Sequence, residues 1–376
     1  MALRRFGIPV DRLQLPLSML FGLKHPIYAG IILTWTDGQG SNAWLRPRSS
    51  FSRENSLATL RKSPFASVAL DGESVVRMRR SERAWDESPL LQKLGGQGFV
   101  DYIATATELP DGARQVISIA TRQAGGFDDQ ITEQIEQICP PLSLALFGIY
   151  QAQTAYQIAT TYLGQHTGQL VMSGQMGRGQ SQALLAAIAF IDVRNFTELS
   201  NQLGVEGTIP LLNEVFEIID ETVQPEGGEV LKFMGDAALV VFPRTADNAA
   251  PLISTIHTLL NVVTTVKQRT QDRSTPIHVG VGLHIGEVFY GNVGAVHRHD
   301  FTVMGPAVNL ASRLEQLTKT LHTDIVVSSA VARICGEHCG SPEEAARQLN
   351  ASIQSHGPVS IKGEPEPLMV WGIHRN

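Results

Sequence analysis

Short apolar runs that stop on a single acid or turn residue set the predicted elements of the C-terminal half of this chain. Phe190-Ile191-Asp192 reads as a buried strand ending in a carboxylate. A helix start comes next, where Asn195 or Thr197 can cap free backbone N–H groups. Glu229-Val230-Leu231-Lys232 and the apolar run 237–242 flank Gly235, with Gly227-Gly228 ahead of them. That pattern predicts a β-hairpin with Asp236 just past its tight turn. The Ala/Leu-rich stretch around Asn309 and Arg313 predicts a helix, and their spacing of four puts both on one face.

The N-terminal half reads as strands over 27–35, 75–80, 101–107 and 115–121, the last pair joined by the turn Leu109-Pro110-Asp111-Gly112. Phe127-Asp128-Asp129 opens a helix with acids near its N-terminus. Ile131, Ile135, Ile138, Leu142, Leu146 and Ile149 keep near-helical spacing, and Pro140-Pro141 is expected to kink or break it. Residues 156–163 look helical, and Gly164, Gly168, Gly174, Gly177 and Gly179 loosen the segment after them. This divides the chain into 1–150, a helical linker with a Gly-rich hinge over 151–181, and 182–376.

With 376 residues, 43% of them hydrophobic, the chain suits two packed domains and a connection. A net charge of −6 argues against bulk nucleic-acid binding. The local basic stretch Arg77-Met78-Arg79-Arg80-Ser81-Glu82-Arg83 reads as a solvated loop or helix face. No run approaches the roughly 18 apolar residues of a membrane span. Near the start, Pro9, Asp11, Arg12 and Pro16 interrupt any signal-peptide core. Three cysteines predict no disulfide framework and fit a reducing cytoplasm. Cys335, His338 and Cys339 lie close together without a second ligand cluster, so they read as ordinary thiols rather than a metal site.

Asp192 and Asp236, held at strand ends beside a helix N-terminus, form a candidate site for a divalent metal and a polyphosphate. Mg²⁺ prefers a couple of carboxylates plus phosphate oxygens, and helix N–H groups favour anions.

Together with Phe301-Thr302-Val303-Met304-Gly305-Pro306-Ala307-Val308-Asn309-Leu310-Ala311-Ser312-Arg313, these segments resemble the catalytic domain of class III nucleotidyl cyclases over about residues 183–374. The resemblance implies an α+β chain with a ferredoxin-like βαββαβ catalytic domain. It implies that Asp192 and Asp236, with Val193, hold two Mg²⁺ ions, Mn²⁺ substituting, and that Phe196 and Thr197 meet the substrate. It further implies that Lys232 and Thr302 read the purine, Asn309 orients the ribose, Arg313 stabilises the pentavalent phosphate and Lys362 contacts the β- and γ-phosphates. The chain departs from the family at two places: Thr302 stands where many members have aspartate, and Glu364 follows Lys362-Gly363 where a second lysine is common. The Lys232/Thr302 pairing resembles the subgroup of bicarbonate-responsive adenylate cyclases.

Lys232 offers a donor to purine N1, which adenine accepts and guanine does not, so the expected substrate is ATP and the product 3′,5′-cyclic AMP with pyrophosphate. In this family two catalytic domains pair head to tail, which implies a homodimer with Asp192 and Asp236 from one chain facing Lys232, Asn309, Arg313 and Lys362 from the other. Guanylate cyclase and a silent nucleotide-binding scaffold are the alternatives. Gly227-Gly228-Glu229 also has a superficial likeness to the diguanylate cyclase turn, without that family's Glu-Phe continuation. By pattern the N-terminal half resembles a GAF-type or related PAS-type sensory domain, an α/β fold taking a small-molecule or protein input, or a dimerisation module with no ligand. His25, a lone histidine near a strand, and Trp35, Trp44 and Trp85 read as structural.

Overall fold

Period-two alternation builds the first sheet and decides which helices cover each face. The computed structural model describes residues 4, 7–16, 28–47, 60–174, 181–244, 250–273, 276–295 and 297–375, in two compact units, Met1–Ile158 and Ala159–Asn376. His25, Gly177 and Gly179, and the side chain of Trp44, lie outside the described residues.

In the first unit β1 (Arg12–Pro16), β2 (Tyr28–Thr36), β3 (Gly40–Pro47), β4 (Val75–Arg79), β5 (Asp101–Glu108) and β6 (Arg114–Thr121) form one antiparallel sheet in the order β3-β2-β1-β6-β5-β4. Tyr102, Ala104, Val116 and Ala120 face α1 (Ala66–Leu70), α2 (Arg83–Glu87) and α3 (Pro89–Gly96), and bury Val68, Trp85, Leu91 and Leu94. Ile103, Ile117, Ile119 and Trp35 point to the other face and meet Ile135 and Cys139 of α4 (Asp129–Leu163). The helix does not break at Pro140 and Pro141. Ile135, Cys139 and Ser143 stay buried at spacings of four, so that face is packed on both sides of the missing N–H groups.

The basic stretch is not a uniformly solvated face. Arg77 lies on β4 and its Nη2 donates to Asp101 Oδ2 at 2.7 Å and also to the Phe127 carbonyl, while the Phe127 N–H donates to the same carboxylate at 2.9 Å. Asp101 is 1% exposed, so the arginine and the backbone N–H are what make its burial tolerable.

After Gly164, whose φ of +87° ends α4, α5 (Gln165–Met172) leads into the second unit's sheet. There β7 (Ser181–Val193), α6 (Phe196–Val223), β8 (Glu229–Met234), β9 (Ala237–Arg244), α7 (Ala250–Arg269) and β10 (Val279–Ala295) make a βαββαβ unit with spatial order β10-β7-β9-β8. β11 (Arg298–Met304) folds back on β10, and α8 (Pro306–Thr320) comes after it. Next, β12 (Ile325–Ser328) runs parallel to β10. After α9 (Ser329–Cys339) and α10 (Pro342–Gln348), β13 (Ala351–Val359) and β14 (Leu368–Arg375) extend the edge. Ala187, Ala189, Ile191 and Val193 of β7 pack against α6 and α7, while Ala186 and Ile188 turn towards β11 and α8. Gly282 lets α8 lie flush on β10, since a Cβ there would sit 2.1 Å from the Glu315 backbone nitrogen. None of Cys139, Cys335 and Cys339 is in a disulfide.

Candidate functional site

β7 is the central strand between β10 and β9, and Asp192 near its end stands opposite Gly280 on one side and Ala237 on the other. The β8–β9 hairpin turns at Gly235 and Asp236, with Gly235 at φ +68°, a conformation glycine adopts without strain. The Val193 N–H donates to the Asp236 carbonyl at 3.3 Å and ties the hairpin tip to the end of β7. The two acids therefore come from separate strands and meet at one edge. Burial first, and the Asp192 charge next, push the Asp236 carboxyl above its usual range.

Two further residues crowd the acids. Lys319 of α8 donates to Asp192 Oδ2 at 2.9 Å. Glu315, one helical turn earlier, is 7% exposed, and its Oε1 has no hydrogen-bond partner. Burial, followed by the Asp192 charge, raises its carboxyl to about 7. Oxygen donors with an excess of negative charge suit a hard divalent cation. Among the described residues no cluster of three or more His, Cys, Asp or Glu could hold a metal. Mg²⁺ binds through one or two carboxylates and completes its shell with phosphate and water, and Asp192 and Asp236 supply such a pair. The donor set fits such an ion.

The helix beside the acids starts without a side-chain cap. Asn195 occupies the N-cap position at φ +55°, and neither it nor Thr197 bonds the first-turn N–H groups. An N-cap side chain normally works from extended backbone, and the left-handed geometry of Asn195 departs from that. Thr197 is exposed in this first turn, and Phe196 is half-buried against the core.

Lys232, three residues before the turn, donates to Asp300 Oδ2 of β11 at 2.8 Å. Thr302 lies two positions further along β11, on the same side of that strand as Asp300. Asn309 is exposed on α8, and the Arg313 guanidinium lies against Gly363, where a Cβ would come within 2.8 Å of it. Arg313 also sits 3.8 Å from Glu364, so the Lys362-Gly363-Glu364 turn is brought to the arginine. Lys362 itself is exposed.

One chain thus brings Asp192 to Asp236, Lys232 to the strand of Thr302, and Arg313 to the turn of Lys362. Among the described residues no hydrogen bond or ion pair links the acids directly to Lys232, Asn309, Arg313 or Lys362. At about 100° per residue, Arg313 and Lys319 diverge by about 120° around α8 and by about 9 Å along it. Asp300, Glu315 and Lys319 are not among the residues that the sequence pattern singles out. Their signals are the two-residue spacing of Asp300 and Thr302 on one strand and the four-residue spacing of Glu315 and Lys319 on one helix. Glu229 is occupied structurally, accepting from the His166 N–H at 3.1 Å and from the Tyr290 hydroxyl at 2.9 Å.

Comparisons with known proteins point to the same half of the chain. Residues 180–374 match the model of the adenylate and guanylate cyclase catalytic domain. An adenylate cyclase of Anabaena cylindrica is 27% identical over 52% of this chain, which spans only 38% of that relative's length. A solved structure of a bacterial light-regulated adenylyl cyclase, 21% identical, covers 72% of this chain and 86% of its own with a TM-score of 0.50, a likeness of fold. The structure of the guanylyl cyclase Cya2, 24% identical, covers 52% of this chain and 94% of its own with a TM-score of 0.43.

Proposed function

This chain belongs to the adenylate and guanylate cyclase catalytic domain family, and from that premise we propose that it converts ATP into 3′,5′-cyclic AMP and pyrophosphate as a head-to-tail homodimer. The observation that carries the reading is the pinning of Asp192 and Asp236 at one strand edge, with Arg313 diverging by about 120° around α8 from Lys319, the residue that meets Asp192. Asp192, Asp236 and the Val193 backbone would hold Mg²⁺, or Mn²⁺ in its place. When bound, the ions make the ribose 3′-oxygen a better nucleophile and neutralise the departing pyrophosphate.

The remaining work falls to this chain's own groups. The uncapped first turn at Phe196 and Thr197 offers backbone N–H groups to the triphosphate. The partner's Asn309 counterpart orients the ribose, so that its 3′-oxygen attacks the α-phosphorus in line as the bond to pyrophosphate breaks. Arg313 leaves its 3.8 Å contact with Glu364 to meet the equatorial oxygens with its planar fork of donors. Lys362 takes the outer phosphates. Lys232, with Asp300 fixing its ammonium, donates to adenine N1, and Thr302 accepts from the exocyclic amine. Exposed Phe233 and Met234 beside Lys232, and exposed Phe289 and Val293 on β10, supply apolar surface for the pairing.

The first unit acts as a GAF- or PAS-like regulatory module in the cytoplasm, coupled through residues 151–181. Among the described residues no helix is long and apolar enough to cross a membrane. The test is product analysis: the purified protein is given ATP or GTP with Mg²⁺ or Mn²⁺, with and without bicarbonate, and the cyclic products are separated. Cyclic AMP is expected to dominate. Cyclic GMP as main product would overturn the role of Lys232, and the absence of any product would favour a nucleotide-binding scaffold.

A further inference from the structure

The first unit contains an arginine, Arg12, that has no anionic partner among the described residues. Arg12 begins β1, opposite Thr36 on β2 and Ala120 on β6. It is half-buried, and burial lowers its guanidinium from the usual range. The acids nearest in sequence and across the strand end are committed elsewhere. Asp11 accepts from Arg4, from the Thr121 hydroxyl at 3.0 Å and from the Arg122 N–H at 2.6 Å. Asp37 accepts from Arg4 at 2.8 Å. Among the described residues no carboxylate lies within ion-pair distance of Arg12. Removing a cation from water without a partner is costly, so a fold that keeps one there needs a compensating group.

The compensating space is present. A cavity of about 270 Å³ lies between β2 and α3, lined by Arg12, Thr34, Thr36, Asn42, Lys93 and Gln97 among others, with no acidic residue among the described residues of its lining. It stands near the lower end of the roughly 300–1,000 Å³ range of ligand pockets. Further along the same face of β1, Gln14 is 8% exposed and its Oε1 has no hydrogen-bond partner. Polar groups buried without partners are rare in finished cores. Here one lies beside an unpaired arginine on the face that borders the cavity.

We propose that this cavity is a binding site for a small organic anion, whose carboxylate or phosphate group is held by Arg12 from the sheet and Lys93 from α3. The guanidinium gives a planar pair of donors to either anion, and Lys93, exposed at the mouth, adds a mobile charge. Thr34, Thr36, Asn42 and Gln97 supply neutral hydrogen-bonding groups for the rest of a polar metabolite, whereas a purely apolar ligand would strand them. The anion completes a charge that the fold leaves open, so its binding stabilises the unit by mass action.

Calorimetric titration of the full chain with succinate and with inorganic phosphate, at constant ionic strength in chloride, tests this, with neutral succinamide as control. One saturable site per chain is expected for at least one of the two anions and none for succinamide. The stronger anion tells a carboxylate ligand from a phosphate one. Arg12→Met should weaken binding tenfold or more, Lys93→Met several-fold, and Arg313→Gln not at all. Ligand-free Arg12→Met should melt no lower than the parent chain, because it removes an unpaired charge, whereas a structural arginine would leave a deficit. Saturation by neither anion, undiminished binding in Arg12→Met and Lys93→Met, loss in Arg313→Gln, or a lower melting temperature for ligand-free Arg12→Met would each overturn the proposal.

Discussion

Glu315 is a buried acid whose titration is linked to folding. Its carboxyl moves from 4.5 to about 7 in the fold, so the folded chain binds its proton more tightly than the unfolded chain does. The stability that this carboxyl contributes is therefore fully present below pH 4.5 and is lost as pH rises through about 7, by roughly 3 kcal/mol for a shift of that size. Asp236, also raised, adds to the loss in the same direction. Denaturant titrations in metal-free buffer at pH 5 and pH 8 should show this decline in the second unit, and Glu315→Gln should flatten most of it. A variant that kept the full slope would assign the effect to other groups. Asp192 and Asp236 are legible in the sequence because each ends an apolar run beside turn residues. Lys319 is not, because its contact joins positions 127 apart and arises only when α8 lies across β7 and β10. Asp300 is hidden for a similar reason: its partner Lys232 is 68 residues away on another strand.

The placement of α8 depends on a bare position of β10. A methyl at Gly282 would press on backbone atoms, 2.1 Å from the Glu315 nitrogen and 2.3 Å from the Ala311 carbonyl, and backbone cannot rotate aside. Gly282→Ala should therefore destabilise the second unit by about 3 kcal/mol or more, seen as an earlier unfolding transition. If the variant unfolded with the parent, α8 would have to be seated less tightly than described. Other elements show what pattern reading captures. The β5–β6 hairpin and the β8–β9 hairpin are implied by their turn residues, and both form. β1 and β3 are not legible in the pattern, since five residues closed by Pro16 give too short an alternation, and β3 shows no turn-bounded apolar run of its own. The continuity of α4 through Pro140-Pro141 is likewise illegible, because tertiary burial of Ile135, Cys139 and Ser143 outweighs a local preference.

For the whole molecule, the proposed pairing sets the acids of one chain to work with Arg313 of a second copy. Asp192→Ala and Arg313→Ala chains should each be nearly inactive alone. Mixed and allowed to exchange, they should recover roughly a quarter of parental activity, since half the dimers are hybrid and each hybrid keeps one intact site of two. No recovery, with exchange verified by differently tagged chains, would place the complete site within one chain. The two-unit organisation is visible in composition and periodicity, whereas the anion-seeking cavity beside Arg12 is not, because it depends on where Arg4 spends its two contacts.

In the proposed dimer α8 would serve both half-sites at once. It presents Arg313 towards the Lys362 turn and Lys319 towards Asp192, as one rigid rod seated on Gly282. In that dimer a nucleotide drawing on Arg313 at one site would pull on the same helix whose Lys319 meets Asp192 at the other. By reciprocity a cation bound by Asp192 and Asp236 at the second would bear on the phosphate grip at the first. Two catalytic centres joined in this way are wired back to back, and conversation between them needs no separate relay.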